Sequence, residues 1–232
     1  MTRLADLTSP DVAALAGADG VLAVPLGSTE QHGPHLPLST DTDVAVALCE
    51  ELATRRGVIV APAVAYGSSG EHAGFAGTLS IGQAALELLL VELVRSASES
   101  FAHVLLVSGH GGNAEPVRRA IATLRGEGRE VLAFFPAWDG EPHAGRVETS
   151  LLLALRPEMV LLARAEAGDT RPLTEIMPLL RAGGVRAVAP NGVLGDPRGA
   201  TNEEGRDLLA ALAVDLTRAV DAWLAREPAA LR

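Results

Sequence analysis

The chain has 232 residues, enough for one large domain with a full core and short for two. Hydrophobic residues make up 48% and charged residues 21%, but aromatics only 3%, so Leu, Val, Ile and Ala must build the interior. The formal net charge is -10 with no cluster of Lys and Arg, which argues against a nucleic-acid backbone as partner. The first twenty residues carry no long apolar segment, so a signal peptide is not expected. Strands are predicted near Val21–Pro25, Val58–Pro62, His103–Val107 and Val131–Phe135. Helices are predicted over Asp41–Arg56, Gln83–Ser98, Asn113–Gly126, Arg146–Leu155 and Asn202–Ala225. The helix around Leu86 to Val94 is interrupted by Glu87 and Glu92 and is too short for a bilayer, so no membrane association is expected. The single cysteine, Cys49, cannot form an internal disulfide and lies among apolar residues, which points to a buried inert thiol in a reducing, cytoplasmic setting.

Strands alternating with helices predict an α/β fold, three layers α/β/α around a mostly parallel sheet, in one domain over 1–232. The strands are continuous apolar runs, as burial on both faces requires. Sites in such folds form beyond the carboxyl ends of the strands. Here those ends lead into "GSTEQHGPH", "AYGSSGEHAGFAGTLS", "SGHGGN" and "FFPAWDGEPHAGRVETS". Five of the six histidines lie in these loops; His103 alone lies elsewhere, and a structural role is expected for it.

Glu30 and His32 are two apart, so in extended chain they share a face and could reach one ion. Asp41 follows a stretch stiffened by Pro34 and Pro37; it is either a helix N-cap or a carboxylate able to bridge two cations. Asp43 reads as a first-turn acid favourable to the helix dipole. His110 is followed by Gly111 and Gly112, which let the backbone turn and approach a ligand, and Asn113 has the character of an N-cap. The rival reading of "GHGGN" is an anion nest in a non-catalytic phosphate or nucleotide binder, but no phosphate-loop Lys accompanies it. Histidines with carboxylates suit Zn, Fe(II) or Mn, one or two ions per chain. A mixed N/O site with open positions is a hydrolytic design, since the ion activates water and polarises a carbonyl.

"PLGSTEQHGPHLPLSTDTD", "GEHAGFAGTLS", "SGHGGN", "HAGRVETS" and "GVLGDPRGAT", in this order, resemble the creatininase family of metal-dependent amidohydrolases, over roughly Val21 to Ala211. The resemblance implies a dinuclear centre with Glu30, His32, Asp41 and His110 as ligands and Asp41 bridging. It also implies a homo-oligomer. Within the family, the stretches around Glu30, His72 and His143 look most like the branch that hydrolyses a modified precursor peptide and releases a C-terminal Val-Tyr-derived unit. A small cyclic amide or a formamide is the alternative substrate.

Two departures from the family pattern matter. Creatininase proper has a ligating glutamate two residues after the histidine that aligns with His110, where this chain has Gly112. The missing carboxylate is assigned to Glu148, which otherwise reads as a first-turn helix acid. Creatininase proper also has an acidic residue at the place of Pro142, so creatinine itself is not the expected substrate. His143 is the candidate for proton work or carbonyl polarisation, with Glu148 beside it. Substrate contacts are expected from His72, Trp138, Gly111 and Gly112, with the segment Gly67 to Gly77, which also carries Glu71, as a covering loop. His35 either orients a ligand or packs beneath the first loop.

Overall fold

The structure, a computed structural model, describes residues 1–17, 20–138 and 140–225. The expected domain extent 1–232 also takes in 18–19, 139 and 226–232, which lie outside the described residues. Among the described residues one parallel sheet of five strands forms, in the order β1 (Thr2–Arg3), β3 (Ile59–Val60), β2 (Val21–Leu26), β4 (His103–Ser108), β5 (Glu130–Phe134). The long central pair sets the frame: Val21 lies opposite His103, and the register runs on to Leu26 opposite Ser108. Every residue of β2 is buried, as its unbroken apolar run requires.

Side chains alternate across the sheet, and each face receives its own helices. Val21, Ala23, Leu105 and Val107 join the core built with α2 (Thr40–Arg55), α5 (Arg146–Leu155) and α7 (Asn202–Leu224). Leu22, Val24, Val104 and Leu106 join the core built with α1 (Ser9–Ala16), α3 (Gln83–Ala97) and α4 (Ala114–Gly126). The fold is therefore α/β in three layers. Both faces are apolar, so neither can be left to water.

The expected strands and helices are present with ends shifted by a residue or two, except that Val58–Pro62 shortens to Ile59–Val60. Pro62 has no N–H to give a ladder. Among the described residues two α-helices lie outside the expected set. One is α1, which carries Pro10 in its first turn and a reciprocal capping box between Thr8 and Asp11. The other is α6 (Leu173–Val188), whose sequence contains Pro178 and a kink at Gly184. It forms a small separate cluster through Ile176, Val185, Ala189 and Leu194, against which Phe75 packs. Among the described residues no helix is long and apolar enough to cross a membrane.

After β2 the chain adds β3 on one side and later β4 on the other. The crevice at this reversal, beyond Leu26 and Ser108, is where a doubly wound sheet places its ligand.

Candidate metal centre

β2 ends at Leu26, and the loop that follows delivers Ser28, Glu30 and His32 into this crevice. Ser28, Glu30 and His32 have no exposed surface. Ser28 Oγ donates to Glu30 Oε2 at 2.6 Å and lies 3.0 Å from Asp41 Oδ2. Asp41 is in the first turn of α2, whose N-cap position is Ser39, so it does not cap the helix. Its carboxylate instead faces His32 Nε2 at 3.0 Å through Oδ1 and His110 Nδ1 at 3.2 Å through Oδ2. His110 arrives from the end of β4 and also approaches Glu30 Oε2 at 3.3 Å. Glu148 comes from the first turn of α5; its Oε2 accepts from the Ala144 backbone N–H at 2.5 Å and lies 3.9 Å from His32 Nε2.

Ligand atoms of Glu30, Asp41 and His110 all lie within 4.8 Å of one another, and so do those of His32, Asp41 and Glu148. Asp41 belongs to both groups, one carboxylate oxygen towards each histidine. A third grouping joins Glu30, His32 and His143. The donor set is imidazole and carboxylate, suited to Zn, Mn or Fe(II). Glu30 Oε1 is buried with no hydrogen-bond partner. A buried carboxylate oxygen without an aligned donor is costly to leave uncompensated, and the donor set around it fits a divalent cation.

The electrostatics agree with a site built for positive charge. Burial, and then the Asp41 carboxylate, push Glu30 up to about 7. Burial pushes Glu148 up to about 7 as well, with Asp41 adding to it. Burial opposes charge on His32, but the Asp41, Glu148 and Glu30 carboxylates outweigh it and carry it to about 10. His110 is raised in the same way against its own burial, through Asp41 and Glu71. Asp41, despite burial, is held well below the usual carboxylate range by these two imidazoles. Protonated His32 and His110 thus balance the acids where metal ions would.

His143 is buried, and its Nδ1 lies 3.8 Å from Glu30 Oε1. Burial, and then the charge on His32, hold it well below the usual imidazole range. His72 is also buried, 3.2 Å from Glu30 Oε1 through Nε2, so the structure places it on the Glu30 carboxylate. Burial lowers it to about 4. Gly111 is exposed with open space beside it. Gly112 faces a filled volume: a Cβ there would lie 2.3 Å from Glu71 Oε1 and 2.4 Å from His110 Nε2. The Glu71 carboxylate therefore occupies the space over Gly112 and stands 3.3 Å from His110 Nε2. Trp138 is half-buried and packs on the core beneath α5 and α7.

His35 donates from Nε2 to Thr149 Oγ1 at 2.9 Å, because the Thr149 hydroxyl proton is used on Gly145 O at 2.7 Å. It ties the first loop to α5 rather than touching a candidate ligand. Asn113 stands at the N-cap position of α4 but makes no capping bond. Its side chain bonds Ser68 N, Gly27 O and Ser108 Oγ, joining three site loops. Asp43 is a first-turn acid paired with Arg156 at 3.1 Å. His103 packs edge-on against Trp223 with ring centroids 5.2 Å apart. Cys49 is fully buried, and its thiol is pushed up by that burial.

Sequence reasoning missed Ser28 and Gln31. Ser28 shares a face with Glu30 by the same two-residue spacing that links Glu30 to His32, so the signal was present. Gln31 points to the opposite side, and only the fold shows what meets it there.

The family model described as creatinine amidohydrolase matches residues 5–220. A protein of Mycobacterium ulcerans named mycofactocin precursor peptide peptidase is 49% identical over 212 residues, covering 87% of this chain and 85% of its own. A solved structure titled as a manganese creatininase superposes with a TM-score of 0.84 at 26% identity, over 97% of this chain and 99% of that one. A mutant creatininase of Zn-Zn type gives the same TM-score of 0.84 at 26% identity, over 97% of this chain and 98% of that one.

Proposed function

This chain belongs to the creatininase family of metal-dependent amidohydrolases, and on that premise we propose that it is a peptidase acting on a modified mycofactocin precursor peptide. It hydrolyses an amide bond near the peptide's C-terminus and releases the Val-Tyr-derived unit. The identity of 49% to a relative named for this activity, over 87% of the chain, carries the substrate reading. The sharing of Asp41 between two ligand groups supports the hydrolytic chemistry. The match over 5–220 supports one creatininase-like domain for the whole chain, 1–232.

Glu30, Asp41 and His110 would hold one ion; His32, Asp41 and Glu148 would hold a second. Bound there, a divalent ion supplies Lewis acidity and an activated water. Zn, Mn and Fe(II) all suit this donor set. Ser28 holds the Glu30 carboxylate and lies against Asp41. His143, buried and kept neutral, accepts or returns a proton at Nδ1, the nitrogen facing Glu30. Glu71 and the segment Gly67 to Gly77 lie over His110 and cover the entrance to the bound peptide. A homo-oligomer belongs to the same reading, supported by exposed apolar side chains such as Leu79, Leu88 and Leu162.

The test is anaerobic reconstitution with Fe(II) or Zn, followed by mass spectrometry of the modified precursor peptide. Release of the C-terminal unit by the wild type and not by Asp41→Ala is expected. An intact peptide with each metal overturns the peptide reading and moves the substrate to a small cyclic amide or a formamide.

A further inference from the structure

Gln31 lies between Glu30 and His32 in sequence but turns its side chain away from the ligand cluster. It is buried, and both ends of its amide are fixed by backbone groups. The Gly33 N–H donates to Gln31 Oε1 at 2.9 Å. Gln31 Nε2 donates to Gly192 O at 3.0 Å. These two bonds settle which end of the amide is oxygen and which is nitrogen. Three further contacts then have one consistent solution. His72 Nδ1 is 2.8 Å from Gln31 Nε2. His143 Nε2 is 2.9 Å from the same nitrogen and 2.9 Å from the Gln31 backbone oxygen.

An amide nitrogen has two hydrogens. One goes to Gly192 O, and the other goes to His72 Nδ1, since a bare His143 Nε2 would set its lone pair against the Gln31 carbonyl oxygen. His143 Nε2 is left beside a carbonyl oxygen and an amide nitrogen with no hydrogen to offer. Only an N–H is satisfied there, and it donates to Gln31 O. We propose that Gln31 is a positioning residue that sets the tautomers of His72 and His143. His143 carries its proton on Nε2 and presents a bare Nδ1 towards Glu30. His72 accepts at Nδ1 and so carries its proton on Nε2, the nitrogen that faces Glu30 Oε1 at 3.2 Å. One glutamine thus turns a bare nitrogen of His143 and the N–H of His72 towards the same carboxylate.

The surrounding chain is shaped around this amide. Gly192 has φ +81°, and a Cβ there would lie 1.8 Å from Gln31 Oε1. Leu194 N donates to His143 O at 2.9 Å, so the same loop seats the histidine and the glutamine. Thr78 Oγ1 accepts from Gln31 N at 3.1 Å, tying the segment that carries His72.

Only the activity arm of the test rests on the peptidase reading. The primary readout is long-range proton–nitrogen correlation NMR on metal-free protein labelled at histidine nitrogen, without substrate. Wild type is expected to show Nε2–H for both His72 and His143; Nδ1–H on His143 overturns the proposal. Gln31→Met keeps the volume and removes the amide. It is expected to give a mixed His72 tautomer and a kcat about 10–100-fold lower, the usual size for groups that orient a site, with KM and metal content unchanged. Gly192→Ala displaces the amide from the other side and is expected to do the same. A His72 signal that stays purely Nε2–H in both variants overturns the proposal. The expected tautomers without any peptide cleavage would overturn the substrate reading alone.

Discussion

His32 Nε2 and Asp41 Oδ1 stand 3.0 Å apart, although nine positions separate them and a helix begins between them. The second oxygen of the same carboxylate is 3.2 Å from His110 Nδ1, which comes from another strand. Asp41 therefore belongs to both ligand groups, Glu30–Asp41–His110 and His32–Asp41–Glu148. Asp41→Asn, which keeps the size and removes the charge, is expected to lose metal at both positions. Turnover should fall by more than the roughly 10–100-fold typical of groups that only support a ligand. Elemental analysis beside a peptide-cleavage assay reads both. Full metal content in Asp41→Asn would overturn the proposed bridging role of Asp41.

Much of this centre could be read from the chain itself, and the reasons are local. Glu30 and His32 share a face through the two-residue period of extended chain, and strand-end loops collect the histidines. The sheet was legible because β2 and β4 are unbroken apolar runs. What was not legible depends on distance in sequence. Nothing near Asn113 announces that its side chain bonds Gly27 and Ser68 instead of capping α4. By sequence Glu71 reads as part of a covering loop, yet its contact with His110 exists only because Gly112 leaves room. α6 escaped notice because Pro178 and Gly184 interrupt its pattern, and packing rather than propensity holds it.

Metal binding should expel protons. His32 is carried to about 10 and His110 is raised, so in the metal-free protein both hold a proton at neutral pH. An imidazole must be neutral to ligate, so proton and metal compete. Affinity should therefore rise with pH. Glu30 and Glu148, pushed up to about 7, steepen the loss of affinity as pH falls below that value. Calorimetric Zn titrations between about pH 6 and about pH 8, in buffers of different ionisation enthalpy, measure the protons released. An affinity independent of pH would contradict protonation of His32 and His110 in the metal-free protein.

Gly112→Ala should disturb the centre without touching any carboxylate ligand. Its Cβ would meet Glu71 Oε1 at 2.3 Å, His110 Nε2 at 2.4 Å and Ser68 O at 2.6 Å. The Glu71 side chain is 37% exposed and can swing aside freely, whereas His110 and the Ser68 backbone are buried and can give way only by distorting the site. His110 must then move off its line to Asp41. A fall in metal affinity of about 10-fold is expected, the lower end of what misorienting a ligand does. Competition with a chromophoric chelator measures it, and wild-type affinity would show that His110 tolerates the displacement.

Asn113→Ala tests what holds the loops in place. The Asn113 amide accepts from Ser68 N at 2.9 Å and donates towards Gly27 O at 3.0 Å and Ser108 Oγ at 3.3 Å. Asn113 has no exposed surface, so water cannot replace the lost partner. Each buried group left unpaired costs about 1–3 kcal/mol, and the Ser68 N–H and Gly27 carbonyl are both stranded. A loss of about 3 kcal/mol is expected, which lowers Tm by roughly 6–12 °C in a chain of this length. The melt should be run with chelator present, because bound metal would mask the loss by mass action. Asn113→Asp is the sharper control. It keeps the acceptor for Ser68 N but sets an oxygen against Gly27 O, so a capping role at α4 would predict no loss, whereas the loop-joining role predicts a destabilisation close to that of Asn113→Ala.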